Sequence, residues 1–83
     1  MPSPDITPKQ LREAQARAAQ AAEAAVRASV AGRESYGLSL ERGLMAAIPE
    51  LRFIINDARE IGLVAGRIVN KAMSAAYRAE GII

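Results

Sequence analysis

The sequence predicts an all-α protein, namely a helical hairpin that packs into an oligomeric helical bundle. Apolar residues make up 51% of the 83 positions while aromatic residues make up only 4%. The apolar fraction is rich in alanine, which favours helix more than any other residue. Two long stretches contain no helix breaker except Pro49. Since a chain of this length supports one small core, we expect residues 1–83 to form a single helical domain.

A capping signal places the start of the first helix. Thr7 can cap with its hydroxyl, Pro8 suits the first helical position, and Gln10 completes a capping box. Residues 1–6 before it hold two prolines and predict an extended tail. Nothing interrupts the helical pattern up to Ala31, and Gly32 is typical of a left-handed helix end. The first helix is therefore predicted at 8–31, followed by a connecting loop at 32–38.

One face of this helix carries small residues at the alternating three- and four-residue spacing of a coiled coil. A face of alanines buries little area per residue, so it must pack close to a neighbouring backbone. The residues of this face are Leu11, Ala14, Ala18, Ala21, Ala22, Ala25 and Ser29.

The second helix is predicted at 39–80, kinked at Pro49 and stopped by Gly81. Two interpretations of Pro49 compete, a break between two helices or a bend within one. Polar residues before and after Pro49 share one arc of roughly 120° at helical spacing. Because a turn of arbitrary length would scramble that phase, we favour one long helix bent on its solvent side.

The long helix predicts self-association. Its apolar arc of roughly 240° is wider than one alanine-rich neighbour can cover. It is also about 27 Å longer than the first helix at 1.5 Å per residue. We therefore expect a homo-oligomer, whose number of chains and parallel or antiparallel packing stay open. The predicted oligomer interface consists of Leu44, Ile48, Leu51, Ile54, Ile55, Ala58, Ile61, Gly62, Ala65, Ile68, Val69, Ala72 and Ala76.

Two local features of the long helix have alternative interpretations. Gly62 and Gly66 form a G-x-x-x-G pattern, which predicts either a tight helix crossing or a chance pair of small residues. Leu63 lies within the polar arc, with Met45 near the same angle. Either Leu63 is an ordinary exposed residue and Met45 fills the core, or the two mark a second contact surface.

The segment from Ala58 to Val69 resembles the helix-turn-helix core of bacterial repressors. Ala58, Gly62, Leu63 and Ile68 match the pattern, whereas Val64 replaces its polar capping residue. The resemblance implies a DNA-binding protein with a helical dimerisation arm, whose groove-facing residues would be Ala65, Gly66, Arg67, Asn70 and Lys71. It requires a turn at Gly62, so we take it as the alternative to a purely structural role.

The chain as a whole resembles computationally designed helical oligomers in style. The absence of Cys, His and Trp, the Thr7–Pro8 cap and the alanine filling all fit that style. Independently of this style, the wide apolar arc and the length mismatch of the long helix predict a structural protein whose function is its own assembly. The preference for Arg over Lys, the two glycines within the helix and Leu63 in the polar arc fit that style less well and suit a natural protein from a GC-rich genome.

Composition excludes several function classes. Without Cys or His, the chain lacks a thiolate nucleophile, the commonest general base and the commonest metal ligands. We therefore expect no enzyme, no cofactor and no metal site. The net charge of +2 is weak and interspersed, so a nucleic-acid partner is not expected. No stretch approaches the length of a membrane span, and we expect a cytoplasmic or otherwise soluble protein with no membrane partner.

Overall fold

The computed structural model describes residues 6–82, which form three helices and contain no strand. They are α1 (Pro8–Ala31), α2 (Tyr36–Arg52) and α3 (Ala58–Ala79). Short connections make α2 antiparallel to both neighbours, and each helix packs against the other two. The all-α prediction is confirmed, but the architecture is a three-helix bundle within one chain instead of a two-helix hairpin.

Helix α1 has the predicted bounds. The Thr7 hydroxyl accepts from the Gln10 amide at 3.1 Å, and the Gln10 side chain accepts from the Thr7 amide at 2.9 Å, which completes the capping box. The predicted tail lies outside the described residues except for Ile6, which is half-buried against the core. The left-handed end at Gly32 was wrong, because Gly32 has a φ of −78° and Arg33 takes the positive φ of 60°.

Helix α2 begins earlier than predicted. The Ser35 hydroxyl accepts from the Leu38 amide at 3.1 Å and so caps a helix that starts at Tyr36. The loop is therefore limited to residues 32–35. Pro49 is exposed within α2, which continues to Arg52. The prediction that the helix runs through Pro49 on its solvent side is confirmed.

The continuous helix from 39 to 80 was wrong, since the chain reverses between Phe53 and Asp57. The Asp57 carboxylate caps α3 by accepting from the amides of Arg59 at 2.9 Å and Glu60 at 3.4 Å. The shared polar arc could not reveal this turn. The connection at 53–57 has a length that leaves the polar faces of α2 and α3 in the same phase at helical spacing, so the arc continues across the turn. Gly81, with a φ of 73°, ends α3 as predicted.

The core lies between the three helices, and α1 contributes mainly small side chains to it. Ala14, Ala18 and Ala22 are fully buried there, as the predicted seam requires. At Gly43 of α2 the helices lie close together, since an added Cβ atom would lie 2.7 Å from Val26 Cγ2 and 2.7 Å from Val69 Cγ1. One glycine therefore lets all three helices meet at a single level.

None of the three helices described within residues 6–82 is long and apolar enough to cross a membrane.

Candidate self-association surface

The core of the chain takes up most of the predicted oligomer interface. Eight of the thirteen residues are buried within the bundle, namely Leu51, Ile54, Ile55, Ile61, Ala65, Val69, Ala72 and Ala76. Leu44, Ile48 and Ile68 are half-buried, while Ala58 and Gly62 are exposed. The premise of a long helix without an intramolecular partner was wrong, because α2 and α3 fold against each other. Self-association itself stays a prediction, and the surface available to it is smaller.

Hydrogen bonds and an ion pair identify the flank of α2 that faces α1. Ser39 bonds to Ser29 of α1, Arg42 bonds to Glu34 after α1, and Glu50 lies 3.6 Å from Arg17 of α1. Residues three or four apart share one side of a helix. Leu44 lies two residues after Arg42, and Ile48 lies two residues before Glu50. Because two residues are about half a helical turn, both side chains lie on the opposite flank of α2, toward α3.

The last turns of α3 show which flank of this helix faces α2. Met73 and Tyr77 line a cavity of about 490 Å³ together with Tyr36 of α2. Gly62 and Gly66 continue that flank toward the start of α3 at helical spacing. A Cβ atom added at either glycine would meet no atom within 4 Å. No helix of the same chain therefore crosses closely at this pair, and a tight crossing with a second chain stays a prediction.

These two flanks form one apolar strip, which we call the α2–α3 surface and define as Leu44, Ile48, Gly62, Leu63 and Gly66. Leu63 borders the glycines and is 59% exposed. Because Gly43 is level with Val69 and the helices are antiparallel, Ile48 is level with residue 64 of α3. The half-buried side chains of α2 thus stand beside the uncovered backbone of α3.

Other exposed apolar side chains lie elsewhere. Met45 is 67% exposed and lines a depression with Ala25 and Ala28 of α1. The exposure of Leu63 agrees with its place in the polar arc, whereas the prediction that Met45 fills the core is wrong, and the two residues occupy different sides of the bundle and do not form one surface. Phe53 is 84% exposed in the turn between α2 and α3.

A polar network fixes the turn between α1 and α2. The hydroxyls of Ser29 and Ser39 lie 2.7 Å apart, and Ser29 also donates to Glu34 at 2.6 Å. Arg42 donates to both carboxylate oxygens of Glu34, from Nε at 2.6 Å and from Nη2 at 2.8 Å. These bonds from Arg42, then from Ser29, lower the pKa of Glu34 from 4.5 to about 2. The sequence pattern did not indicate this network, because its members lie up to 13 residues apart.

An aromatic pair closes the same end of the bundle. The rings of Tyr36 and Tyr77 stack at 6.0 Å between centroids, with 6° between their planes. Tyr36 is 57% exposed and Tyr77 is half-buried. The pair joins the start of α2 to the end of α3, and only the antiparallel turn that the sequence analysis missed brings the rings together.

The helix-turn-helix interpretation fails at its turn. Helix α3 is continuous through Gly62, so the residues of the resemblance occupy one helix. Ala65, one of the implied groove-facing residues, is fully buried. Within residues 6–82 no group of three or more acidic side chains could hold a metal ion, and every buried side-chain nitrogen or oxygen has a hydrogen-bond partner.

Comparisons with protein-family models, with curated proteins and with solved structures find no match to this chain. None of them tests the resemblance in style to designed helical oligomers, which stays a prediction.

Proposed function

We propose that this chain is a structural protein whose function is self-assembly into a symmetric homo-oligomer through the α2–α3 surface. The proposal involves no catalytic step and no cofactor. Five of the thirteen residues predicted as interface are exposed or half-buried, so a second chain can contact them. Three of these five, Leu44, Ile48 and Gly62, belong to the α2–α3 surface.

The observation that carries the proposal is the exposed Leu63 beside two uncovered glycines. Each glycine within a helix costs about 1 kcal/mol relative to alanine. Gly43 has an intramolecular reason for that cost, since it touches both neighbouring helices. Gly62 and Gly66 face open space instead. A second helix packed across them would use the close backbone approach that glycine permits.

The apolar side chains supply the driving force. Leu63 is 59% exposed, and Leu44 and Ile48 are each half-buried. Full burial of one such side chain is worth about 1.5–3 kcal/mol. In a dimer related by two-fold symmetry every contact occurs twice, so even partial burial of these three residues favours association.

Measurement of the molar mass of the full chain in solution tests the proposal. Sedimentation equilibrium from 1 to about 200 μM should show a folded oligomer, whereas Leu63→Glu should remain a folded monomer over that range, because a buried unpaired carboxylate is costly. The control is Ala24→Glu, which introduces the same charge at an exposed apolar residue of α1, away from the α2–α3 surface. It should associate like the original chain.

Circular dichroism of each variant separates loss of assembly from loss of fold. A wild-type chain that is a folded monomer throughout the concentration range would overturn the proposal. Association lost through Ala24→Glu but kept in Leu63→Glu would move the interface to α1 and would also contradict it.

A further inference from the structure

A single line along α2 has opposite charges at its two ends. Glu41, Leu44, Ile48 and Arg52 follow one another at intervals of three, four and four residues, so they share one side of the helix. Glu41 and Arg52 are exposed, while Leu44 and Ile48 between them are half-buried. The two charges are separated by about 16 Å along the helix axis at 1.5 Å per residue.

When two copies of this line run antiparallel, the negative end of each lies opposite the positive end of the other. Building on the proposed self-assembly, we infer that a second copy docks with its α2 antiparallel to the first, about a two-fold axis perpendicular to the helices. Glu41 of each chain then lies opposite Arg52 of the other, and Leu44 of each chain lies near Ile48 of the other. Such an isologous contact has the same patch on both sides and closes at two chains.

Charge also argues against the parallel arrangement. Arg59 starts the exposed flank of α3 at the level of Arg52, near the turn between the two helices. A two-fold axis along the helices would place α2 of one chain on α3 of the other at the same level. Arg52 would then face Arg59 of the second copy, which is a repulsive pair. The antiparallel arrangement avoids this contact and gains two attractive ones.

Both charged side chains are available for a second chain. Within residues 6–82 the salt bridges join Arg17 to Glu50 and Arg42 to Glu34, and neither Glu41 nor Arg52 takes part in one. Arg52 also suits the end of α2 through the helix dipole, whereas Glu41 lies beyond the first turn of that helix. That local effect acts on the stability of the single chain, whereas the inferred pairing acts on association, so the two effects are measured separately.

The glycines of α3 fit the same axis. The midpoint between Glu41 and Arg52 falls between residues 46 and 47 of α2. Antiparallel packing with Gly43 opposite Val69 puts that midpoint level with residues 65 and 66 of α3. Gly66, and Gly62 one turn away, therefore lie next to the axis, where the α3 helices of the two copies cross most closely.

Charge reversal in the full chain tests the inference. Sedimentation equilibrium should show that Glu41→Arg and Arg52→Glu each weaken association about tenfold or more, because each replaces two attractive pairs with two repulsive ones. The double variant restores both pairs with reversed polarity and should associate within about threefold of the original chain. Glu23→Arg, which makes the same charge change on the exposed face of α1, should leave association unchanged.

Disulfide capture provides a readout that does not depend on the strength of the ion pairs. The chain has no cysteine of its own. An oxidised mixture of Glu41→Cys and Arg52→Cys should give a covalent dimer of the two different variants, whereas each variant alone should give none. A wild-type dimer with neither charge dependence nor this cross-link would overturn the antiparallel arrangement and leave self-assembly standing. A wild-type chain that never associates would overturn self-assembly itself.

Discussion

Val69 of α3 packs against the backbone of α2 at Gly43, so closely that a Cβ atom on Gly43 would lie 2.7 Å from Val69 Cγ1. The same Cβ atom would also lie 2.7 Å from Cγ2 of Val26 in α1. Both neighbours are β-branched and have one strongly preferred rotamer in a helix, so neither can move aside cheaply. This glycine sets the spacing of all three helices.

Gly43→Ala should therefore lower the free energy of unfolding by about 1–3 kcal/mol through overpacking. Urea unfolding followed by circular dichroism, at concentrations where association is negligible, measures the change. Gly66→Ala is the matched control, since it is also within a helix but its added Cβ meets no atom within 4 Å. The control should raise the free energy of unfolding by up to about 1 kcal/mol. A neutral or stabilising Gly43→Ala would contradict the tight crossing.

The Glu34 network predicts acid sensitivity. Arg42 and Ser29 lower the pKa of Glu34 from 4.5 to about 2 in the folded chain. Since the folded pKa lies below the unfolded value, the stabilisation is complete above pH 4.5 and disappears as the pH falls toward 2. Glu34→Gln should accordingly be less stable near pH 6 and should lose less of its free energy of unfolding between pH 4.5 and 2.

Unfolding curves at several pH values test this expectation. Glu13→Gln, at an exposed position on α1 outside the network, serves as the comparison. It should retain the acid-dependent loss attributed to Glu34. An unchanged pH profile in Glu34→Gln would show that the network does not govern the acid response.

The tyrosine pair predicts coupling between the start of α2 and the end of α3. Tyr36 and Tyr77 stack with centroids 6.0 Å apart, and aromatic pairs contribute about 0.5–1.5 kcal/mol beyond area burial. Tyr36→Ala should lower the free energy of unfolding, while Tyr36→Phe should preserve most of it. In a double-mutant cycle, Tyr36→Ala and Tyr77→Ala should have less than additive effects. Full additivity would mean that the stacking contributes nothing.

Local signals in the sequence predicted the helix ends better than long-range phase predicted the topology. The Thr7–Gln10 capping box placed the start of α1 correctly because all of its partners lie within one turn. Asp57 followed by Glu60 is the same kind of signal for the start of α3, and it was overlooked because the polar arc seemed continuous. Attention to that capping pattern would have given three helices.

The long-range contacts could not be predicted in this way. Gly43 appears in the sequence as an ordinary helix-weakening residue, and only the approach of Val26 and Val69 explains it. For the candidate surface, exposure of Leu63 followed from its angle in the polar arc. The turn at Phe53–Asp57 decided which apolar residues became core and which remained outside, and so reduced the predicted interface to a smaller strip.

Substitution of Gly62 separates stability from assembly. An added side chain there meets no atom within 4 Å, and leucine favours helix over glycine by somewhat under 1 kcal/mol. Gly62→Leu should thus raise the melting temperature of the monomer, measured by circular dichroism at concentrations where association is negligible. The same leucine would lie where a second copy approaches α3 closely, so sedimentation should show weaker association.

Gly81→Leu is a poor control because Gly81 has a φ of 73°, a conformation that side chains resist. Gly37→Leu is better, since its added Cβ also meets no atom within 4 Å, and it should leave association unchanged. If Gly62→Leu stabilises the monomer and associates as well as the original chain, the glycine is not at an interface, and the second copy must bind elsewhere.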